Sequence, residues 1–177
     1  MASQAEIIEV LRQRFGDIEF QPAPLLMRGD KPGGQMYVRV PANRLIEVLT
    51  FLRDDPRCRF DQLCDLTCVD YLNFPNAEDR YGVIYALLSV ALKHRIWIKC
   101  FVNDPDPAVP TATGVWSGAD WLEREVYDMF GIRFDGHPDL RRILTWEGFR
   151  AFPLLKDYPL RGRGEREDYP VITRDSA

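Results

Sequence analysis

The run Asp104-Pro105-Asp106-Pro107-Ala108-Val109-Pro110 most limits what this chain can become. Proline fixes φ, lacks an amide donor and is excluded from helix interiors and central strands. The run therefore reads as a linker or surface loop, with regular structure on either side. Upstream, residues 1–103 read as one α+β domain. Ser3-x-x-Glu6 has capping-box spacing, and Ile7, Val10, Leu11 and Phe15 recur at helical intervals, which predicts a helix over Gln4–Phe15 with a stop at Gly16. Short strands are expected at Ile18–Phe20 and Leu25–Arg28, followed by a turn over Gly29–Gly34 and a strand over Met36–Val40. Leu45, Ile46, Val48, Leu49 and Leu52 mark a second amphipathic helix, opened near Pro41–Asn43 and closed before Asp55-Pro56. Phe60–Tyr71 reads as a strand, and Tyr81–Ala91 as a fuller apolar one. Ile96–Val102 is its hairpin partner across a polar turn at Lys93-His94-Arg95. Helices packed on a largely antiparallel sheet give the α+β class.

Downstream, a third helix is expected to begin at Ser117 or Gly118 and to run through Trp121–Phe130 to a stop at Gly131. Residues 104–131 then form a Pro-rich linker and a helix that completes the domain, and 132–177 form an extended C-terminal segment with no sustained period. That segment interleaves arginines with Trp146, Phe149, Phe152 and Tyr158, residue types that protein interfaces favour. Pro138, Pro153, Pro159 and Pro170 limit the backbone freedom it has to lose, so it can lie extended along a partner. The competing reading is a tail that is disordered when unbound.

Composition removes several function classes. A chain of 177 residues that is 46% hydrophobic can close one ordinary core. A net charge of -4 and a pI near 5.3 provide no basic footprint for nucleic acid. The N-terminal Met1–Glu6 lacks the basic start and apolar stretch of a secretion signal, and Gly82–Leu92 falls short of the roughly 20 apolar residues of a membrane span. A cytoplasmic chain that reaches a membrane only through partners is expected. Cys58, Cys64, Cys68 and Cys100 contain no CxxC pair and read as free, buried apolar thiols. Gly29–Gly34 lacks the Gly-Lys-Ser/Thr ending of a phosphate loop, and no G-x-G-x-x-G follows a strand, so neither NADH nor ATP is expected to bind.

The segment richest in polar side chains is Glu123–Arg142. At about 100° per residue, Trp121, Leu122, Val126 and Met129 share an apolar face, with Glu125 between Trp121 and Met129. A partly buried Glu125 would need a partner, for which Arg141 or Arg142 is the candidate. An acid–base reading takes Glu123, Glu125 or Asp128 as base and His137 as acid. A structural ion network holding Gly131–Leu144 on the helix needs only the charges. His94 reads as a turn residue, and His137, ahead of Pro138, as a loop anchor. Two histidines alone do not make a metal site.

The run Glu123-Arg124-Glu125-Val126-Tyr127-Asp128-Met129-Phe130-Gly131-Ile132-Arg133-Phe134-Asp135-Gly136-His137-Pro138-Asp139-Leu140-Arg141-Arg142-Ile143-Leu144 closely resembles the signature of the 30-kilodalton subunit family of complex I. Lys156-Asp157-Tyr158-Pro159-Leu160 resembles the family's following motif, and the Pro-rich approach with Trp116 and Trp121 fits as well. The resemblance implies a subunit in the peripheral arm of the proton-translocating NADH:quinone oxidoreductase, peripheral to the cell inner membrane on its cytoplasmic side. It further implies that the C-terminal segment wraps on the quinone-site subunit of the 49-kilodalton type, and that FMN and iron–sulfur clusters sit in partner subunits and none in this chain. The isolated chain would then be inactive. Glu123, Arg124, Glu125, Asp128, His137, Pro138, Arg141, Arg142, Lys156 and Asp157 fall on the family motifs and are implied to be structural and docking residues. Where the family usually has Pro-Leu-Arg-Lys-Asp, this chain has Pro153-Leu154-Leu155-Lys156-Asp157, so a more apolar partner surface is expected opposite Leu155. Two other readings remain: the equivalent subunit of a membrane-bound hydrogenase or ferredoxin-fed photosynthetic complex, and a stand-alone acid–base enzyme using Glu125, Asp128 and His137.

Overall fold

A computed structural model of the chain describes residues 4–16, 18, 20, 22–27 and 31–164. In chain order the elements are α1 (Gln4–Arg14), β1 (Pro22–Met27), β2 (Lys31–Arg39), a 3-10 turn (Ala42–Arg44) leading into α2 (Leu45–Asp54), β3 (Gln62–Asp70), β4 (Tyr81–Ser89), β5 (His94–Val102), β6 (Ala108–Pro110), α3 (Ala119–Phe130) and β7 (Arg133–Asp135). The main sheet has five strands in the order β1-β2-β5-β4-β3. Its β2 and β5 run parallel and the other neighbours antiparallel, giving the α+β architecture with a largely antiparallel sheet.

The sheet is covered by helices on one face. Val83, Tyr85 and Leu87 of β4, Ile96, Ile98 and Cys100 of β5, and Leu66 and Cys68 of β3 join one apolar core. Into it pack Ile7 and Leu11 of α1, Leu45, Val48, Leu49 and Leu52 of α2, and Val126 and Phe130 of α3. Because strand side chains alternate, Ile84 and Ala86 of β4 and Trp97 and Lys99 of β5 face the other way. Burial of both sides of β4 accounts for its nearly continuous apolar sequence.

Several local expectations need correcting. Ile18 and Phe20 are not in a strand; both sink into the core as the chain leaves α1. The strand expected at Leu25–Arg28 is β1, and Lys31–Gly34 belong to β2 and not to a turn. Ser3 of the capping box, Arg28, Gly29 and Asp30 lie outside the described residues, as do residues 165–177. His94 opens β5, paired with Ser89, because the turn closes within 90–93 once Lys93 adopts φ 55°. The ring of His94 is buried, with Nε2 2.7 Å from the carbonyl of Cys58 and the ring centroid 4.8 Å from that of Phe60. The Pro-rich run is also more ordered than a linker: Ala108–Pro110 forms β6, parallel to β7, with Val109 buried. An edge strand bonds on one side only and so tolerates Pro110.

Of the four thiols, Cys58, Cys68 and Cys100 are buried, while Cys64 is exposed. Burial pushes Cys58 up to about 11 and Cys68 and Cys100 up to about 12, which keeps them protonated. Among the described residues, no helix is long and apolar enough to cross a membrane, and no cluster of His, Cys, Asp or Glu could hold a metal ion.

Candidate functional site

Helix α3 is buried on two opposite sides. Ala119, Glu123, Val126 and Phe130 share the side that faces the core, whereas Arg124 and Asp128, four residues apart, occupy the far side beneath the segment that follows. Trp121 and Glu125 lie between these sides and are exposed. The projected apolar face is thus rotated from the real one, and the buried carboxylates are Glu123 and Asp128, not Glu125. The projection fails because it builds the buried face around Trp121, which is exposed, whereas Glu123 and Asp128 are enclosed as hydrogen-bond acceptors. The helix ends where expected, at Gly131 with φ 77°, its N–H donating to the Tyr127 carbonyl.

Asp128 is the main fastening of the C-terminal segment. Its Oδ2 accepts from the backbone amides of Ile143, Leu144 and Thr145 at 3.1, 2.7 and 2.8 Å, while Oδ1 accepts from Arg142 Nη1 at 2.7 Å and from the Thr145 hydroxyl. Arg142 also donates Nη2 to the Ala151 carbonyl at 3.1 Å and stacks 5.0 Å from the Phe152 ring. Burial alone would raise the Asp128 carboxyl, but the hydrogen bonds from Thr145, Leu144 and Arg142 outweigh it and hold the group below its ordinary range. Arg142, the candidate partner of Glu125, is instead the partner of Asp128.

Two further contacts extend this attachment. Arg124 Nε donates to the Arg141 carbonyl at 3.2 Å, and exposed Arg141 pairs with Asp139 at 2.9 Å. Farther along, Asp70 at the end of β3 accepts from the Lys156 amide at 2.8 Å, and Arg80 bridges Asp104 at 2.6 Å and Asp157 at 3.0 Å. Sequence reasoning does not single out Asp70 or Arg80. Their partners Lys156 and Asp157 are 86 and 77 residues away, and no local pattern marks such a pair. Leu155 is half-buried against this chain's own core, which supplies apolar surface on its inner side.

At the other end of α3, Glu123 and His137 form a separate buried pair. Glu123 Oε1 accepts from the Ala112 amide at 2.6 Å and Oε2 from the Thr111 hydroxyl at 2.5 Å. Burial raises its carboxyl despite those bonds and the nearby His137. His137 Nδ1 accepts from the Asp139 amide at 3.0 Å, so its proton is assigned to Nε2, which lies 3.2 Å from the Asp120 carbonyl and 3.9 Å from Glu123 Oε2. Both side chains are fully enclosed, and both ring nitrogens are engaged by backbone. A substrate has no approach to this pair. The arrangement anchors the β6–β7 corner, with Pro138 exposed beside it.

The fastened segment turns apolar side chains outward. Leu144, Trp146, Leu154 and Leu160 are 62, 38, 51 and 104% exposed. Trp146, Phe149, Tyr158 and Leu160 also border an open cleft of about 630 Å³. Monomeric surfaces seldom concentrate large apolar side chains in this way unless a partner covers them.

Comparison with known proteins gives a consistent result. A family model described as respiratory-chain NADH dehydrogenase, 30 Kd subunit, matches residues 38–164. An NADH-quinone oxidoreductase subunit from Caulobacter sp. (strain K31) is 54% identical over 129 residues, which is 73% of this chain and 58% of the relative. The protein of the same name from Brucella ovis is 46% identical over 157 residues, 89% of this chain and 72% of the relative. Among solved structures, the trypsin-resistant fragment (1-134) of Nqo5 is 31% identical with a TM-score of 0.65, covering 78% of this chain and all of the fragment. A chain of the membrane-bound sulfane sulfur reductase, an archaeal respiratory membrane complex, shares the fold at 20% identity, with a TM-score of 0.69 over 98% of this chain and 95% of that one.

Proposed function

The chain belongs to the 30-kilodalton subunit family of the respiratory-chain NADH dehydrogenase, and from that premise we propose that it is a scaffold subunit of the peripheral arm of an NADH:quinone oxidoreductase. The complex moves electrons from NADH through FMN and iron–sulfur centres to quinone and couples this to proton translocation. In this reading the cofactors sit in partner subunits, the isolated chain does not turn over substrate, and it reaches the cytoplasmic side of the cell inner membrane through its partners. The docking segment placed at 132–177 begins in this reading only after β7, since Ile132 and Phe134 lie in the core of the body, and it lies on the quinone-site subunit of the 49-kilodalton type.

The observation that carries the proposal is the two-sided build of the segment after α3. Its inner side is tied to the body by Asp128, Asp70 and Arg80, while Leu144, Leu154 and Leu160 point outward. Such a surface is fixed before docking, so little conformational entropy remains to be lost on binding. An acid–base enzyme has less support, because Glu123 and His137 are sealed and Glu125 is exposed apart from them.

The deciding experiment is affinity purification of tagged full-length chain from gently solubilised membranes, wild type beside a Leu144→Asp, Leu154→Asp, Leu160→Asp variant. The wild type is expected to bring down NADH:quinone reductase activity, and the variant to fold normally but lose most of it. Recovery of the folded wild-type chain alone would remove the proposal.

A further inference from the structure

The face of the main sheet opposite the helices carries a charge that no described residue neutralises. Cross-strand register places Tyr37 beside Trp97, Arg39 beside Lys99, and Lys99 beside Ile84 on that face. Lys99 is only 8% exposed, although it lies on a side of the sheet that no described helix covers. Its Nζ donates to the Tyr71 hydroxyl at 3.2 Å and stands 4.1 Å from the centroid of the Tyr37 ring. Among the described residues, no carboxylate lies within 4.0 Å of it. Burial holds the ammonium below the ordinary lysine range.

A buried ammonium without an anion is costly, and rings offset that only in part. Lysine has three donors, and Tyr71 accepts from one of them. The neighbouring cation, Arg39, is already met by Asp79 at 2.7 Å, so the unmatched charge is local to Lys99. Beside it, a shallow groove of about 230 Å³ is lined by Tyr37, Tyr71, Phe74 and Phe101 together with Glu78 and Asp79, the latter already paired with Arg39. Phe74, which lines it, is 56% exposed, and Leu72, two residues earlier, is 46% exposed. Aromatic side chains around a partly desolvated charge are what the centre of a protein interface contains.

We propose that this helix-free face is a second docking surface, on which a neighbouring subunit of the complex places a carboxylate side chain, borne on an apolar stretch, against the Lys99 ammonium. The inference rests on the scaffold reading above. It assigns the chain a contact on the sheet, distinct from the one made by the segment after α3. The apolar rim seats the partner's chain, and the ion pair selects it.

The experiment uses the full-length chain within its complex. Zero-length carbodiimide coupling of the wild-type assembly is followed by peptide mapping, and the release of tagged Lys99→Met under salt washing is compared with wild type. The expected result is an amide bond from Lys99 to an Asp or Glu of another subunit, absent in Lys99→Met. The variant chain should keep or gain thermal stability when free, since it loses an uncompensated charge, yet leave the complex about 30-fold more readily. Retention of Lys99→Met equal to wild type, or coupling of Lys99 only to this chain or to a second copy of it, would overturn the inference while leaving the scaffold reading in place. Failure of wild-type chain to co-purify with the complex would overturn both. If Lys99→Met does not fold, the coupling product from wild-type protein still decides.

Discussion

The body of the chain and the segment from Arg141 to Asp157 are joined to the same helix by different chemistry. The body holds α3 through apolar packing of Ala119, Val126 and Phe130 in a core shared with β3, β4 and β5. The segment is held chiefly by polar contacts at a few points, Asp128 with the 142–145 loop on the far side of α3 and Asp70 of β3 with Lys156, while Leu155 adds apolar contact with the core. Apolar packing is distributed and tolerates the loss of single contacts, whereas a buried carboxylate that serves several donors is a single point of failure. The difference suits their tasks. A body needs to fold, and a docking segment needs to hold one shape while leaving Leu144, Leu154 and Leu160 turned outward.

Breaking the polar side should have the largest effect. Asp128→Ala removes the acceptor for Arg142, Thr145 and three amides at once, leaving a half-buried guanidinium without its anion. A loss of about 3 kcal/mol or more is expected in denaturant unfolding. Next comes Gly131→Ala, which places a Cβ at positive φ and 2.7 Å from the Phe152 ring. It should cost about 2 kcal/mol, and part of that should return in a Phe152→Leu background, where the clash is absent.

The two buried acids should separate by pH. Asp128 has a depressed carboxyl, so its contribution is present above the ordinary aspartate range and is lost as pH falls through its lowered value. Glu123 is the reverse, raised by burial, so it binds its proton more tightly when folded and its contribution declines as pH climbs above the ordinary glutamate range. Glu123→Gln keeps an acceptor for the Ala112 amide and can donate to Thr111. Stability curves across pH for wild type and Glu123→Gln should therefore diverge, with the variant failing to show the decline on the alkaline side of that range. An identical pH profile in the two proteins would mean that Glu123 is not destabilised by burial.

The smallest effect is expected in the apolar body. The hydroxyl of Tyr85 is buried on the core face of β4 without a hydrogen-bond partner among the described residues. Tyr85→Phe should leave stability unchanged or raise it by up to about 1 kcal/mol, as measured by thermal unfolding.

The same division explains what is legible in the sequence. β4 and β5, the stripe of α2 and the stop of α3 at Gly131 can be read from it, because apolar periodicity and a left-handed glycine are local signals. A polar network holding the segment after α3 is expected as well, but its pairs are not legible: Arg142 meets Asp128 and not Glu125, and Asp70 and Lys156 are far apart in sequence. One local signal does bear on them. Asp128 sits in the last turn of α3, which has no basic residue, so its charge opposes the helix dipole. An acid there without local compensation points to a tertiary partner. His94 departs from expectation for a simpler reason: a turn that closes two residues early shifts His94 and Arg95 from the turn into the ladder.

Native-state hydrogen exchange on wild type and Asp128→Ala tests the central claim most directly. In the variant, the amides of Ile143, Leu144 and Thr145 and those through Leu155 should lose protection, while β4 and β5 retain exchange limited by global unfolding. Equal loss of protection in both regions, or no change in either, would contradict the account of a docking segment fastened by its own polar points to an independently packed body.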